Sequence, residues 1–429
     1  MSDPLLIGLG GLGSLFLLIA LRLPIAYAMI LVGGIGVSIL NGPSVFMSQL
    51  KTLAYGQFSI YDLSVVPMFV LMGNLATHSG LSGDLFRAAN AWLGRFRGGV
   101  AMATVAACAG FGSVCGSSLA TGTVAAGGVL GILIPPSVVL VIYAIIVEAN
   151  IVTMFMAALI PGLVAVLFFL ATIAVVVARD PEAGPAGEPV SRAELAAATL
   201  GLIPVLAIFG LVIGGIYFGF FNPTPAAAIG VFLVWVYGTA RRRLGLGPMR
   251  EALLDTARTS GMIYLILLGA EMVKIFMSRG GVPQAVAEWM LGSGLPAMAV
   301  LGILLAALIL LGCLMDSLSM ILLAIPFFWP VLVTINGGDY VAADQAAFGM
   351  GSEDLKIWFG ILALIVVELG LITPPVGMNV FVISAMAEDV SMRDTFVGVM
   401  PFFAAEIVRV LVLLSFPAIV LWLPAVLSG

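Results

Sequence analysis

The chain alternates between long apolar segments and short polar segments over nearly its whole length. Several apolar windows run for about 20 residues without a charge, enough for a helix to cross the hydrocarbon core of a bilayer. Two other apolar stretches, 99–118 and 295–335, contain glycine-rich or proline-rich breaks, so we predict re-entrant hairpins there. The pattern predicts membrane-spanning helices over residues 5–21, 24–40, 63–79, 121–147, 151–178, 199–220, 222–239, 260–278, 356–386 and 396–425.

The composition supports a membrane protein of the all-α class. Hydrophobic residues make up 62% of the chain and charged residues 9%, with a mean hydropathy of +1.21. Soluble domains are nearer half apolar and a quarter charged. We therefore predict an all-α polytopic membrane protein, embedded in a lipid bilayer. The sequence has no basic patch with interleaved aromatic residues and no G-x-x-x-x-G-K-S/T motif, which argues against nucleic-acid binding and against ATP hydrolysis by this chain.

The distribution of lysine and arginine predicts the orientation of the spans. On the span assignment above, one side carries only Lys51, Lys274, Arg279 and Lys356, together with the acidic loop 336–354. The other side should be cytoplasmic, with both termini outside. Its basic residues are Arg22, Arg87, Arg95, Arg97, Arg179, Arg192, Arg241, Arg242, Arg243, Arg250, Arg258 and Arg393.

Short motifs recur in the same order in the two halves of the chain. The segment GFGSVCGSS (110–118) aligns with LGCLMDSLS (311–319), and GILIPPS (131–137) aligns with GLITPPV (370–376). On the predicted spans the first copy enters from the cytoplasm and the second from outside, which is the pattern of inverted-topology repeats in secondary transporters. We predict a first repeat over 1–178, a cytoplasmic linker over 179–198 and a second repeat over 199–429.

Tandem prolines interrupt one helix in each repeat, at 131–137 and at 370–376. Proline removes a backbone donor and displaces the preceding residue from the α region, so carbonyls such as that of Gly370 are predicted to be freed. Freed carbonyls and nearby hydroxyls suit a desolvated Na⁺, and the helix N-terminus beyond a break suits a carboxylate. A proline kink without any ligand is the alternative for a single break, but two matched breaks favour binding sites.

Polar residues lie in each predicted hairpin, next to the breaks. Asp316 is the most informative of them, because a carboxylate inside a membrane segment is costly and usually functional. We predict substrate contacts at Ser113, Ser118, Ser319 and Asn379. Other ionisable residues in or near spans are expected to be structural, either paired or reaching the interface, namely Glu148, Glu271, Glu368 and the pair Glu406 and Arg409.

Several motifs together resemble the large membrane subunit of tripartite ATP-independent periplasmic (TRAP) transporters: GLITPPVGMNVFV, GILIPPSVVLVIYAI, FNPTPAAAI, GSVCGSS and FPAIVLWLP. The resemblance covers nearly the whole chain. It implies Na⁺-driven uptake of an organic acid across the bacterial inner membrane, with an elevator-type scaffold and transport domain. It also implies two partners, a small four-helix membrane subunit and a periplasmic substrate-binding protein. The implied Na⁺ ligands are Gly112, Ser117, Gly131 and Pro135 in a first site, and Asp316, Ser317, Gly370, Thr373 and Met378 in a second.

The first hairpin is too short for its return arm. A return arm, a loop and half a helix separate Asp316 from Pro374, whereas the interval from Ser117 to Pro135 has no room for a return arm at about 1.5 Å per residue. Either the chain lacks this arm or residues are missing from the sequence near Ala120. We expect the second, because a one-armed hairpin would leave backbone groups unpaired in the bilayer. The first predicted Na⁺ site depends on whether this return arm is present in the protein.

Three other functions remain open on the sequence alone. A stand-alone carboxylate carrier of the same superfamily would need no binding protein. A membrane-embedded enzyme would need a nucleophile–base pair or a metal cluster, and a single histidine, His78, argues against it. A channel would need pore-lining rings, for which the sequence shows no signature.

Overall fold

The computed structural model describes residues 3–115, 130–184, 186–187, 190–313, 315–374, 377–381 and 392–427. These residues form helices joined by short connections, with no strand among them, so the predicted all-α class is confirmed. The helices are α1 Asp3–Ala20, α2 Ile25–Asn41, α3 Pro43–Phe58, α4 Val65–Ser79, α5 Leu81–Leu93, α6 Gly99–Cys115, α7 Val138–Val147, α8 Ile151–Arg179, α9 Arg192–Tyr217, α10 Pro223–Ala240, α11 Leu246–Arg279, α12 Val282–Gly292, α13 Ala297–Gly312, α14 Ser317–Asn336, α15 Ser352–Leu371, α16 Met392–Ser415 and α17 Ala418–Leu427.

Within the described residues, 6 helices are long and apolar enough to cross a membrane, or up to 7 if the bent segment from Pro43 to Ser79 is one span. The six are α8, α9, α10, α11, α14 and α16. Other predicted spans are shorter apolar helices, among them α1, α2 and α17. A transmembrane helix needs about 20 residues because each residue advances about 1.5 Å, so these shorter helices fall below the length of a full crossing.

Several predicted boundaries are wrong. The sequence pattern missed α3, a helix without a single buried residue, because it has no apolar stripe to signal a core. The predicted span 199–220 begins earlier, at Arg192, where Ser191 and Glu194 form a capping box. The predicted span 260–278 is part of the longer helix α11. The predicted span 396–425 ends at Ser415, since Pro417 stops the helix before α17 begins.

Both predicted helix breaks are present. Residues 130–133 are helical, the chain leaves the helix at Ile134, and α7 begins after Ser137, whose hydroxyl accepts from the Leu140 amide at 3.3 Å. In the second half α15 ends at Leu371, and helical residues resume only at 378–381. The predicted spans 121–147 and 356–386 are therefore each interrupted.

The second hairpin follows the predicted 295–335 segment closely. Its arms are α13 and α14, which pack against each other and turn at Cys313 to Asp316, although residue 314 lies outside the described residues. Both arms also pack on α15. The hairpin therefore lies beside the helix whose end is broken, which brings two distant polar segments together.

Helix α15 lies at the centre of the second half. Every residue from Ile357 to Leu371 is buried. Its neighbours are α7, α8, α13, α14, α16 and α17, so it contacts elements of both halves. An all-round buried helix of this kind belongs to the interior of a membrane bundle rather than to its lipid-facing surface.

Arginine-rich connections meet at one end of the molecule. The Gly98 amide donates to the Gly184 carbonyl at 2.9 Å, and the Gly187 amide donates to the Gly94 carbonyl at 2.9 Å. Trp92 donates to the Thr199 hydroxyl at 3.1 Å. The connections that follow α5 and α8 and the start of α9 therefore share one face, as the distribution of basic residues predicts. The position of the termini relative to the membrane stays a prediction.

The first hairpin is described only as far as Cys115, the last residue of α6. Gly112 and Ser113 lie in this helix, while Ser117, Ser118 and the predicted discontinuity near Ala120 lie outside the described residues. The repeat boundaries and the inverted topology of the repeats stay predictions.

Candidate functional site

The tip of the second hairpin touches the broken end of α15. A Cβ atom added at Gly370 would lie 2.7 Å from the Gly312 Cα atom and 2.9 Å from the Ile309 carbonyl oxygen. The Cys313 thiol lies 3.6 Å from the Pro374 carbonyl oxygen, to which it donates. Two glycines thus allow the backbone of α13 to reach the backbone of α15, and the hairpin closes directly on the break.

Asp316 caps the returning arm of the hairpin. Its carboxylate accepts from the Ser319 amide at 3.0 Å and from the Ser319 hydroxyl. The carboxylate therefore neutralises the positive end of the α14 dipole, where N-cap aspartate is strongly preferred. Asp316 is exposed and Ser319 is buried, so the tip presents a negative charge on an otherwise apolar hairpin.

The break after α15 differs from the prediction in one respect. The Gly370 carbonyl is not freed, because it accepts from the Thr373 amide at 3.0 Å as the last turn of the helix tightens. Asp316 and Thr373 are each hydrogen-bonded within their own segment. The Thr373 hydroxyl donates to the Leu369 carbonyl at 2.6 Å.

The remaining predicted residues are distributed between the two breaks. Gly131 and Pro135 are buried at the first break. Met378 and Asn379 are half-buried in the helical turn 378–381, after the second break. Ser117 and Ser118 lie outside the described residues, and only the helical backbone is described for Gly112 and Ser113. The second hairpin thus carries Asp316 and Ser317 and contacts α15 at Gly370, whereas much of the first set falls outside the described part of the structure.

Ser317 and Glu368 form a buried polar contact on the inner side of this hairpin. Ser317 is 1% exposed and Glu368 is 0% exposed. The Ser317 side chain lies next to the Glu368 carboxylate, but the two are not aligned in a hydrogen bond. Both carboxylate oxygens of Glu368 and the Ser317 hydroxyl therefore lack a hydrogen-bond partner. Sequence reasoning gave Glu368 only a structural role, and its position late in a buried helix was the available signal.

Glu406 and Arg409 on α16 form a buried ion pair close to Glu368, as the sequence predicted for them. Arg409 Nε donates to Glu406 Oε2 at 3.0 Å, and its Nη1 donates to the Pro161 carbonyl at 3.2 Å. The pair ties α16 to α8. The Glu406 Oε1 atom has no hydrogen-bond partner, and the Glu406 carboxylate acts electrostatically on Glu368.

These groups suit a small hard cation. The hairpin tip carries carboxylate and hydroxyl oxygens and packs against the end of a broken helix, and secondary transporters hold Na⁺ at the ends of such broken helices. The buried oxygens of Ser317 and Glu368 lack partners, which is costly unless a ligand or proton satisfies them. Among the described residues, no group of three or more His, Cys, Asp or Glu could hold a metal ion.

The chain matches the family described as "Tripartite ATP-independent periplasmic transporter, DctM component" over residues 12–123 and 118–419. The match is divided at 118–123, where the sequence has no room for a return arm. This division agrees with a discontinuity relative to the family, and either of the two explanations given above would produce it.

Individual relatives are similar over most of the chain. The C4-dicarboxylate TRAP transporter large permease protein DctM of Pseudomonas aeruginosa is 31% identical over 85% of this chain and 86% of its own length. The sialic acid TRAP transporter large permease protein SiaM of Vibrio cholerae is 27% identical over 98% of each chain. The isethionate TRAP transporter permease protein DctMQ of Oleidesulfovibrio alaskensis is 28% identical over 97% of this chain and 66% of its own length.

A solved structure shares the fold. The YdaH transporter of Alcanivorax borkumensis, whose crystal structure is described as having an unusual topology, superposes with a TM-score of 0.55. The comparison covers 87% of this chain and 88% of that chain at 14% sequence identity. At this identity the likeness shows the fold alone.

Proposed function

Because the chain belongs to the DctM family of tripartite ATP-independent periplasmic transporters, we propose that it drives Na⁺-coupled uptake of an organic acid as their large membrane subunit. The relatives are membrane transport proteins and not enzymes, which agrees with the prediction that this chain has no catalytic site. Their named substrates are C4-dicarboxylates, sialic acid and isethionate, all of them acids. C4-dicarboxylates and sialic acid carry carboxylates, whereas isethionate carries a sulfonate, so the names support an organic anion as the cargo and two of the three support a carboxylate.

The contact between the second hairpin and the broken end of α15 is the observation that supports a Na⁺ site. Close approach at Gly312 and Gly370 holds the hairpin against the broken end of the helix, and Asp316 supplies a negative charge at the tip. A Na⁺ ion bound there would be held by Asp316, Ser317 and the backbone around Gly370 and Thr373. Such an ion would supply positive charge beside the place where an anionic substrate binds.

Substrate coupling follows from charge balance. A carboxylate substrate is costly to move through a bilayer unless its charge is compensated. Ser319 and Asn379 supply hydrogen-bonding groups on the hairpin and after the break, and a bound cation lowers the electrostatic cost of the anion. The proposed order is therefore cation first, acid second, and transport of both together by an elevator-type movement.

The proposed partners are a small membrane subunit and a periplasmic substrate-binding protein. The family name and the named DctMQ relative, of which this chain spans about two-thirds, support a second membrane component. A stand-alone carrier that needs no binding protein is the alternative function, and the YdaH likeness shows that the fold occurs in another transporter.

Uptake by proteoliposomes tests the proposal. The chain is reconstituted with its small membrane subunit, and uptake of labelled C4-dicarboxylates and sialic acid is measured with the binding protein outside. We expect uptake that requires an inward Na⁺ gradient and is not stimulated by ATP. Uptake that persists after Na⁺ is replaced by K⁺ would refute Na⁺ coupling. Equal uptake without the binding protein would support the stand-alone carrier.

A further inference from the structure

Glu368 is a buried carboxyl group that the proposed function leaves without a role. It lies in the last turn of α15, is fully buried, and has both side-chain oxygens without a hydrogen-bond partner. Burial of a charged group is costly unless another charge or hydrogen bonds compensate it. Either a cation or a proton is therefore expected on this carboxyl group.

No described neighbour supplies the missing positive charge. The helices α7, α13, α14 and α17, which pack on α15, contain no lysine, arginine or histidine. Helix α8 has only Arg179, at its far end. Helix α16 provides Arg393, which is exposed in its first turn, and Arg409, whose guanidinium is already paired with Glu406 and bonded to Pro161. With Glu368 ionised, the buried groups Glu368, Glu406 and Arg409 carry a formal charge of one negative unit, and the exposed Asp316 adds a second at the hairpin tip.

Three further observations indicate where such a cation would lie. The Ser317 side chain lies next to the Glu368 carboxylate, and its hydroxyl has no hydrogen-bond partner. The Glu406 Oε1 atom is also unpartnered and buried. The Asp316 carboxylate, at the hairpin tip, acts electrostatically on Glu368. Buried, unpartnered oxygen atoms of α14, α15 and α16 thus interact with or belong to the Glu368 carboxyl group, and oxygen is the ligand atom that hard cations prefer.

We propose that Glu368 is a further ligand of the Na⁺ ion assigned above to the second hairpin, and that with Ser317 and Glu406 it holds this ion from the buried side. The resemblance to TRAP transporters implied Ser317 as a ligand but gave no buried carboxyl partner. In the structure Asp316 is exposed, and Glu368 supplies a buried carboxyl group. Because α14 carries Ser317 and α15 carries Glu368, the cation joins the hairpin to the central helix and stabilises the closed contact.

Cation binding by the purified complex tests the inference without any transport step. The thermal unfolding midpoint of the full-length chain with its small membrane subunit is titrated with NaCl, and choline chloride keeps the ionic strength constant. We expect Glu368→Gln to raise the apparent Na⁺ dissociation constant at least about tenfold. Ser317→Ala, which removes only an unpartnered hydroxyl, should raise it by a smaller factor.

Glu353→Gln is the matched control, because Glu353 lies on the same helix but is exposed and paired with Lys356 at 2.6 Å. Its Na⁺ response should equal that of the parent chain. If the Glu368→Gln protein does not fold, Ser317→Ala decides the question. An unchanged Na⁺ response in either buried variant would overturn the inference, and greater stability of Glu368→Gln at every Na⁺ concentration would show that a proton occupies the carboxyl instead.

The inference rests on the proposed function for the choice of Na⁺ as the cation. The two fail differently. One outcome is uptake that is independent of Na⁺ while Na⁺ stabilises only chains that retain Glu368. In that case the proposed coupling is wrong and the cation site is supported. If uptake requires Na⁺ and Glu368→Gln binds Na⁺ like the parent chain, the coupling stands and the site is wrong.

Discussion

The Tyr143 hydroxyl donates a 2.7 Å hydrogen bond to the Lys356 carbonyl and so joins the two halves of the chain. Tyr143 lies on α7, just after the first break, and Lys356 lies near the start of α15, which leads to the second break. Both the Tyr143 side chain and the surface of α15 that it meets are buried. The two broken helices are therefore parts of one packed unit, as expected if they move together.

Removal of this hydroxyl should loosen the unit without unfolding the chain. We expect Tyr143→Phe to lower the free energy of unfolding by about 1 kcal/mol, the net value of one buried hydrogen bond. The measurement is thermal unfolding of the purified protein. Tyr340→Phe is the matched control. Tyr340 is fully exposed, so its substitution should leave the free energy of unfolding unchanged. Equal midpoints for the two variants would show that the Tyr143 bond contributes nothing.

The glycine contact between the hairpin and α15 should not tolerate a methyl group. In Gly370→Ala the new Cβ would lie 2.7 Å from the Gly312 Cα atom, and backbone on both sides leaves no flexible group to move. We expect a loss of about 1–3 kcal/mol in stability, typical of overpacking, together with a marked loss of uptake. Gly302→Ala on α13 is the control, since a Cβ there meets nothing within 4 Å.

Gly302→Ala should leave stability unchanged or raise it by up to about 1 kcal/mol, because alanine favours a helix interior over glycine. A Gly370→Ala protein that unfolds at the same temperature as Gly302→Ala would contradict the tight contact between the hairpin and the break.

The charge of Asp316 can be separated from its capping role. Asparagine caps a helix about as well as aspartate, so Asp316→Asn should retain the parent's stability but lose most Na⁺-driven uptake. Asp316→Ala should lose uptake and, in addition, about 1 kcal/mol of stability, because the Ser319 amide loses its acceptor. Uptake rates and unfolding midpoints are measured on the same preparations. Normal uptake by Asp316→Asn would limit Asp316 to the role of a cap.

Orientation can be measured with single introduced cysteines. Tyr340→Cys lies in the acidic loop, which the distribution of basic residues places outside, and Arg242→Cys lies at the arginine-rich end. In intact cells a membrane-impermeant maleimide should label only Tyr340→Cys, and Arg242→Cys should react after permeabilisation. The parent chain sets the background, since its described cysteines, Cys108 and Cys313, are buried. The reverse labelling pattern would invert the proposed topology.

The family resemblance and the class of the fold depended on short motifs and on apolar length, which are local properties of a sequence. The tandem prolines at 135–136 and 374–375 predicted two breaks for the same local reason, since proline cannot continue a helix whatever surrounds it. Membrane burial strengthens such inferences, because backbone groups in lipid have few alternatives to a helix. The missing return arm was also visible in the sequence, from the short interval between Ser117 and Pro135.

Tertiary structure decided which polar groups meet. From the sequence alone, the Gly370 carbonyl was expected to be free, but a tightened last turn satisfies that carbonyl locally. Glu368 was assigned a structural role because no sequence spacing links it to Ser317, 51 positions away. Their contact arises only when the hairpin folds back on α15, through the approach of Gly312 to Gly370. Such long-range packing depends on the shapes of whole helices, so a local sequence pattern does not predict it.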